Sequence, residues 1–102
     1  MSRTSNDVTL VCYDVTSNKL RSKIDKAMKD FGIRLQYSIF LCRLGAEDVR
    51  RLREKLMKIL ERFADERSSG DSVIIIERVG VGRIDCLVGG ERVRDAPNCE
   101  IF

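Results

Sequence analysis

Three short, nearly continuous apolar runs alternate with amphipathic segments along this chain, and they limit the folds that it can adopt. The runs are Leu10–Tyr13, Ser38–Cys42 and Val73–Ile76. A run without regular polar alternation is typical of a strand whose two faces are both buried. The order of strand, helix, strands, helix, strand and strand predicts an α+β fold, in which two helices pack on one face of a small sheet.

The two amphipathic segments have the apolar spacing of helices. We predict the first helix at Ser17–Phe31, where Ser17 or Asn18 can cap the first turn and Gly32 suits the left-handed residue after the last turn. We predict the second helix at Ala46–Arg67, because its apolar residues form one stripe and acidic residues lie in its first turn.

The β regions between and after the helices are less sharply bounded. Ile33–Leu44 is longer than most strands, so it can hold two strands that bend near Tyr37–Ser38, although no glycine or proline marks the bend. Ser72–Val79 and Arg83–Val88 are predicted strands joined by a glycine-containing turn. Cys99–Phe102 could add one more short strand.

With 102 residues, the chain is large enough for one core and too small for two. We expect a single domain over residues 1–102, with residues 1–7 and 90–98 irregular. Two helices cover only one face of the predicted sheet, whereas its apolar runs predict burial of both faces. A second copy of the chain is the simplest cover, and two-fold symmetry is the commonest way to supply it. The alternative is that these runs are central strands of a sheet with hydrophobic edges.

Composition excludes several classes of chemistry. The chain contains no histidine, which rules out serine–histidine and cysteine–histidine catalysis by its own residues. Its four cysteines show no Cys-x-x-Cys spacing, so we do not expect a zinc site. Of the 19 basic residues, 13 are arginine, and the net charge is +3. Arginine binds phosphate through two parallel hydrogen bonds and stacks on bases, so this bias slightly favours a nucleic-acid partner.

The beginning of the chain is polar and lacks the apolar segment of a secretory signal. No apolar run approaches the length of a membrane span. We therefore expect a cytoplasmic protein with reduced cysteines and no membrane partner.

The first predicted strand ends on Tyr13–Asp14 and turns at once into the first helix. A carboxylate at the mouth of a buried strand is held firmly and still reaches water, so Asp14 is a candidate metal ligand or general base. The alternative is that Asp14 only accepts hydrogen bonds from free amides near Thr16–Asn18, at the positive end of the helix. In a dimer, two copies of Asp14 facing each other can hold Mg²⁺, which keeps several waters and accepts one or two carboxylates.

The stretch from Tyr13 to Phe40 resembles the CRISPR-associated protein 2 family, the small adaptation nucleases of prokaryotic immune systems. The family has a strand ending in Tyr-Asp, a helix with basic residues in its first turns, and a later Gln-x-Ser-hydrophobic-Phe strand. The residues that match at matching spacings are Tyr13, Asp14, Arg21, Gly32, Arg34, Gln36, Ser38 and Phe40. The chain departs from the family at Lys23, where arginine is common, and at Leu41–Cys42, where glutamate or glycine is frequent.

The resemblance implies a ferredoxin-like βαββαβ fold with an extra C-terminal strand, a hairpin near Tyr37, and a two-fold homodimer packed through the sheets. It also implies one Mg²⁺ shared between the Asp14 residues of the two protomers. Asp14 is then the only acid of the motif, since the positions directly after Phe40 are Leu41 and Cys42 rather than an acid. The implied catalytic residues are Asp14, Tyr13, Arg21, Arg34 and Phe40, and the implied nucleic-acid-binding residues are Lys19, Arg21, Lys23 and Arg34.

Two kinds of function follow from the resemblance. As a scaffold, the dimer would bind the integrase partner, CRISPR-associated protein 1, and grip the duplex DNA of a new spacer through its phosphates. As an enzyme, it would be a Mg²⁺-dependent phosphodiesterase acting on single-stranded RNA or duplex DNA. We favour the scaffold, with nuclease activity as the second expectation. The alternatives outside the family are a toxin-like endoribonuclease and a ferredoxin-like regulatory domain that binds a small ligand.

Overall fold

Four strands and two α-helices, in the order βαββαβ, form the part of the chain that the structure, a computed structural model, describes: residues 7–88. The predicted α+β fold is therefore confirmed. The predicted strand at Cys99–Phe102 and the irregular residues 1–6 and 90–98 lie outside the described residues, whereas Asp7, which was predicted to be irregular, is the first residue of the first strand. The elements are β1 at Asp7–Asp14, α1 at Asn18–Met28, β2 at Ile33–Gln36, β3 at Ile39–Cys42, α2 at Ala46–Arg62 and β4 at Ser72–Gly80.

The strands form one antiparallel sheet in the order β2-β3-β1-β4. The central strand β1 is hydrogen-bonded on both sides, where Val11 lies opposite Phe40 of β3 and Ile75 of β4. The two helices cover one face of the sheet, and the core lies between. The apolar stripes of the helices bury Leu20, Ile24 and Met28 from α1 and Val49, Leu52 and Leu56 from α2. Full burial of one such side chain contributes about 1.5–3 kcal/mol, so these stripes hold both helices on the sheet.

Helix α1 begins at the predicted cap and ends earlier than predicted. Ser17 is the N-cap, because its Oγ accepts a hydrogen bond from the N–H of Leu20 at 3.1 Å. The helix ends at Met28 rather than at Phe31. The N–H of Phe31 instead bonds the carbonyl oxygen of Met28 at 2.9 Å, which is the tighter spacing that commonly closes a helix.

Gly32 follows this turn for a different reason from the one that the sequence suggested. Its backbone is not left-handed, so that prediction is wrong. A Cβ at this position would lie 2.2 Å from the carbonyl oxygen of Leu41 and 2.7 Å from Sγ of Cys42. Glycine is needed because the backbone after α1 passes close against β3.

Helix α2 ends at Arg62 and not at Arg67 as predicted. Phe63 leaves the helical conformation, with φ −108° and ψ 37°, and Ala64–Glu66 forms a short 3-10 helix. No large apolar side chain follows Phe63 within this segment, so packing does not hold a further α-helical turn. Within residues 7–88, no helix is long and apolar enough to cross a membrane.

The region between the helices contains two strands joined by a turn at Tyr37–Ser38, as the family resemblance implied. The pairing of β2 with β3 shifts register between Arg34 and Gln36. The N–H of Tyr13 donates to the carbonyl oxygen of Ser38 at 3.0 Å. The end of β1 therefore lies directly beside the β2–β3 turn.

The sheet face opposite the helices is partly covered by the chain itself. Val81, Ile84 and Cys86 pack there against the buried Val8 and Leu41. The predicted strand at Arg83–Val88 is therefore wrong. A 3-10 helix at Val81–Arg83 follows β4, and Ile84 and Cys86 after it pack on the face instead of pairing along the edge.

This cover leaves a patch of the face open at the middle of β4. Ile74 is 51% exposed and Ile76 is 43% exposed, although both belong to the most apolar run of the chain. Soluble proteins scatter single exposed apolar residues, but two on one face of one strand form a patch. The chain alone therefore does not complete the burial that its apolar runs predicted.

Candidate functional site

Asp14 is the last residue of β1, and it is exposed at the point where the chain turns into α1. Other side chains bond the amides at this turn: Thr16 donates its N–H to Oδ1 of Asp71 at 3.0 Å, and Ser17 caps the helix. The structure therefore does not support the alternative in which Asp14 accepts hydrogen bonds from those amides. No side-chain hydrogen bond or ion pair joins the Asp14 carboxylate to another of residues 7–88, so this carboxylate is available to a ligand.

Asp71 has the local role that the sequence offered to Asp14. Its carboxylate accepts hydrogen bonds from the N–H of Ser68 at 2.9 Å and from the N–H of Thr16. Both bonds favour the ionised form and lower the pKa of Asp71. Asp71 thereby connects the loop before β4 to the β1–α1 turn. Its position in the polar run Ser68–Asp71 was the only sequence signal for this role.

Asp14 lines a shallow, open depression at the end of the sheet. Three parts of the fold meet there: the end of β1, the β2–β3 turn and the start of β4. The residues that line it are Cys12, Tyr13, Asp14, Gln36, Tyr37, Ser38, Ile39, Ser72 and Ile74. The depression thus offers one carboxylate, two hydroxyls and an exposed phenol ring on an otherwise apolar floor.

The depression holds too few acids in one chain for a metal site. Residues 7–88 contain no group of three or more histidine, cysteine, aspartate or glutamate side chains that could hold a metal ion. Mg²⁺ accepts one or two carboxylates and keeps several waters, so oxygen ligands of this kind suit it chemically. One chain supplies a single carboxylate, Asp14, and a second one would have to come from another chain.

Although Tyr13 is among the residues that line the depression, its side chain packs in the core between the sheet and the helices. It is 4% exposed, and its hydroxyl donates a hydrogen bond to Oδ1 of Asp25 on α1. Burial raises the pKa of Tyr13 well above its ordinary value, and the Asp25 carboxylate raises it further. The phenol is therefore held neutral, and it shapes the site from below without reaching a ligand in the depression.

Arg34 is joined to the same carboxylate. Its Nη2 lies 3.4 Å from Oδ2 of Asp25, and its guanidinium lies 5.1 Å from the ring centroid of Phe40. Phe40 is 1% exposed and stacks on Tyr13 with centroids 6.3 Å apart. The structure therefore brings the predicted residues Tyr13, Arg34 and Phe40 together, with Phe40 beneath Arg34 rather than open to a base.

Arg21, in the first turn of α1, reaches the depression only through its contact with Tyr37. Its Nη1 donates to the carbonyl oxygen of Val15 at 2.7 Å, and its Nη2 donates to the side chain of Asn18. Its guanidinium carbon lies 5.5 Å from the ring centroid of Tyr37. Arg34 also reaches Tyr37, because its Nη1 donates to the carbonyl oxygen of that residue. Both predicted arginines therefore approach the depression through Tyr37.

Lys19 and Lys23 form a second group. Their Nζ atoms lie 5.9 and 5.5 Å from the ring centroid of Phe63, and the guanidinium of Arg62 lies 6.0 Å from the same centroid. Three cations thus surround one ring at the end of α2. The sequence indicated the two lysines through the basic face of α1, but nothing in it showed that α2 adds a third cation.

Two residues that shape the depression were not assigned a function from the sequence. Asp25 binds Tyr13 and Arg34. The only sequence feature that pointed to Asp25 is that it is one of few acids on a basic helix. Tyr37 is 69% exposed beside Asp14. The sequence feature that could have identified it is an aromatic residue at a bend between apolar strands.

Comparison with known proteins agrees with this architecture. Residues 7–80 match the family described as CRISPR associated protein Cas2. A CRISPR-associated endoribonuclease Cas2 of Chloroflexus aurantiacus is 34% identical over 57 residues, which are 56% of this chain and 61% of that protein. A CRISPR-associated endoribonuclease Cas2 of Thermus thermophilus is 34% identical over 56 residues, which are 55% of this chain and 60% of that protein. The chain therefore spans about three fifths of the length of the curated relatives that it matches.

The fold is similar to that of a solved structure as well. The crystal structure of a hypothetical protein from Thermus thermophilus superposes with a TM-score of 0.65 and 25% sequence identity. The superposition covers 79% of this chain and 89% of that one.

Proposed function

This chain belongs to the CRISPR associated protein Cas2 family, and from that premise we propose that it is a CRISPR adaptation protein. In this role it acts as a two-fold homodimer that binds duplex DNA together with an integrase partner, CRISPR-associated protein 1. The strand order β2-β3-β1-β4 with both helices on one face supports classing the fold as ferredoxin-like.

The observation that carries the proposal is the set of cations around the first helix. Lys19 and Lys23 form no ion pair with another of residues 7–88, although they lie close to each other and to Arg62. Cations that gather without a carboxylate repel one another, and a phosphate backbone would relieve that repulsion. Contacts of this kind position a nucleic acid without reading its sequence.

The homodimer rests on the open apolar patch of the sheet. Ile74 and Ile76 lie on the face away from the helices, next to the depression that contains Asp14. Packing a second copy on this patch would bury both isoleucines. A two-fold axis near the end of β1 would also place the two Asp14 carboxylates on the same side of the dimer.

Duplex binding tests the scaffold role. The measurement is a gel-shift titration of a fluorescent DNA duplex at several salt concentrations, with wild type and the Lys19→Ala, Lys23→Ala double variant. We expect the logarithm of the affinity to fall linearly with the logarithm of salt concentration, and the slope of the variant to be smaller by about 1 to 2. The control is Lys55→Ala, an exposed lysine on α2. A variant slope equal to that of wild type would reject these lysines as phosphate contacts.

A second candidate function is Mg²⁺-dependent phosphodiesterase activity on single-stranded RNA or duplex DNA. The unpaired, exposed carboxylate of Asp14 favours it, because such a group can bind a cation without breaking a contact within residues 7–88. Bound between two Asp14 side chains, Mg²⁺ would supply a water of lowered pKa and polarise the phosphate. Arg21 and Arg34 would hold the phosphate oxygens, since a guanidinium carries five donor N–H groups.

Cleavage of labelled RNA and DNA tests this second function. We compare wild type with Asp14→Asn, which keeps the shape of the side chain and removes its charge, and with Asp85→Asn, an exposed aspartate outside the depression. We expect wild type and Asp85→Asn to cleave the nucleic acid and Asp14→Asn not to cleave it. A chelator should also abolish the cleavage. Equal cleavage by all three proteins would point to a contaminating nuclease and remove Asp14 from the mechanism.

A further inference from the structure

Tyr37 stands out among the aromatic residues of the described chain. Within residues 7–88, the other aromatic side chains are buried or half-buried, whereas Tyr37 is 69% exposed at the β2–β3 turn. An aromatic ring left in water at a turn costs free energy that burial would recover. This ring also borders the depression that contains Asp14.

The backbone that carries this ring is held from two sides. Arg34 donates a hydrogen bond to the carbonyl oxygen of Tyr37, and Arg34 is itself held by Asp25. The next carbonyl, that of Ser38, accepts a hydrogen bond from the N–H of Tyr13 at 3.0 Å. These contacts fix the turn to α1 and β1, so the ring is presented from a constrained support rather than from a free loop.

One side of the ring is occupied by a cation that is also held in place. The Arg21 guanidinium carbon lies 5.5 Å from the ring centroid, and hydrogen bonds to Val15 and Asn18 anchor that guanidinium. Because most of the ring is still exposed, Arg21 leaves room for a second planar group. The arrangement therefore offers a flat aromatic surface, an adjacent positive charge and a nearby carboxylate.

The geometry points to Tyr37 as a stacking platform for an unpaired base of a single-stranded nucleic acid bound beside Asp14. The ring takes any base because every base has a π face, and Arg21 supplies charge for the neighbouring phosphate. In a duplex the bases are already stacked and paired, so their faces are closed to the ring. This inference rests on the proposed nucleic-acid binding and assigns single strands to the Asp14 depression, which leaves duplex binding to the lysines of α1.

Binding without Mg²⁺ tests this inference, because cleavage is then suppressed in every variant. Fluorescence anisotropy is measured with a labelled single-stranded oligonucleotide and, separately, with a duplex of the same sequence. The proteins are wild type, Tyr37→Ala, Tyr37→Phe and Met57→Ala, an exposed apolar residue on α2 as control. We expect Tyr37→Ala to weaken single-strand binding by roughly 5- to 100-fold, the range that alanine substitution gives for one stacked base. Tyr37→Phe and Met57→Ala should bind within twofold of wild type, and duplex affinity should not change.

Three results would overturn the inference. The first is single-strand binding by Tyr37→Ala equal to that of wild type, and the second is an equal loss for single strand and duplex. The third is a changed molar mass of Tyr37→Ala in light scattering, which would place the ring between copies of the chain. Failure of the proposed function looks different, because wild type would then bind neither nucleic acid.

Discussion

The hydroxyl of Tyr13 donates a hydrogen bond to the carboxylate of Asp25, and this contact joins the central strand to the first helix. The same carboxylate holds Arg34 of β2, so one acid connects three elements beneath the depression. Because successive side chains of a strand point to opposite faces, Tyr13 is buried while its neighbour Asp14 is exposed. Tyr13 and Asp25 thus fix the support of the depression, and Asp14 beside them remains exposed to solvent.

Removing either member of this contact should lower the free energy of unfolding by different amounts. Tyr13→Phe keeps the ring and loses one hydrogen bond, which should cost about 1 kcal/mol. Asp25→Ala leaves the buried hydroxyl without its acceptor and releases Arg34, so it should cost about 2–3 kcal/mol. Urea unfolding followed by circular dichroism measures both, with the exposed Asp85→Ala as control. A smaller loss for Asp25→Ala than for Tyr13→Phe would contradict the double role of Asp25.

The ionisation of Tyr13 should make the fold sensitive to alkaline pH. Burial and Asp25 raise its pKa above the ordinary value of 10, so the unfolded chain releases this proton first. The contribution is complete below pH 10, and the free energy of unfolding should fall as pH rises further. Tyr37→Phe leaves Tyr13 as the only tyrosine of the chain, so its absorbance near 295 nm can be followed alone. Native-state ionisation centred at pH 10 would contradict the assigned burial.

Replacement of Gly32 should test the close approach of the chain to β3. Gly32→Ala places a Cβ against the carbonyl oxygen of Leu41, and we expect a loss of about 1–3 kcal/mol from the backbone shift that this forces. Gly70→Ala is the matched control, because a Cβ there meets nothing within 4 Å and its backbone is not left-handed. That variant should be unchanged or stabilised by up to about 1 kcal/mol. Equal behaviour of the two variants in thermal unfolding would argue against the close approach.

The proposed homodimer predicts that a charge on the open sheet face changes the oligomeric state. Ile76→Glu should shift the protein from dimer to monomer, because the new carboxylate would be buried without a partner. Met57→Glu is the control, since Met57 is 49% exposed on α2 and lies outside this face. Light scattering coupled to size-exclusion chromatography measures the molar mass over a range of concentrations. A dimer that persists in Ile76→Glu would move the interface to another surface.

Much of the architecture followed from the sequence alone because it depends on neighbours along the chain. Apolar spacing located both helices and the first, third and fourth strands, and the family resemblance added the hairpin that separates β2 from β3. The N-cap of α1 at Ser17 could also be predicted, because its hydroxyl accepts from the N–H of Leu20, only three residues further on. The position of Asp14 at the end of a strand could be identified for the same reason. Helix ends were less certain. Helix α2 ends at Arg62 because no packing on the core holds a further turn after Phe63, and that depends on the tertiary fold rather than on the local pattern.

What only the tertiary structure decided depends on residues far apart in the chain. The reason for Gly32 lies in the backbone of Leu41, and the amide of Thr16 is bonded by Asp71, 55 positions away. Tyr37, Arg21 and Asp14 come close to one depression only after three strands have paired in the correct register. Arg83–Val88 has the composition of a strand, yet after the turn at Val81–Arg83 only its Ile84 and Cys86 pack on the sheet's face. Composition reports what a segment can bury, whereas the partner that it buries against is set by the path of the whole chain.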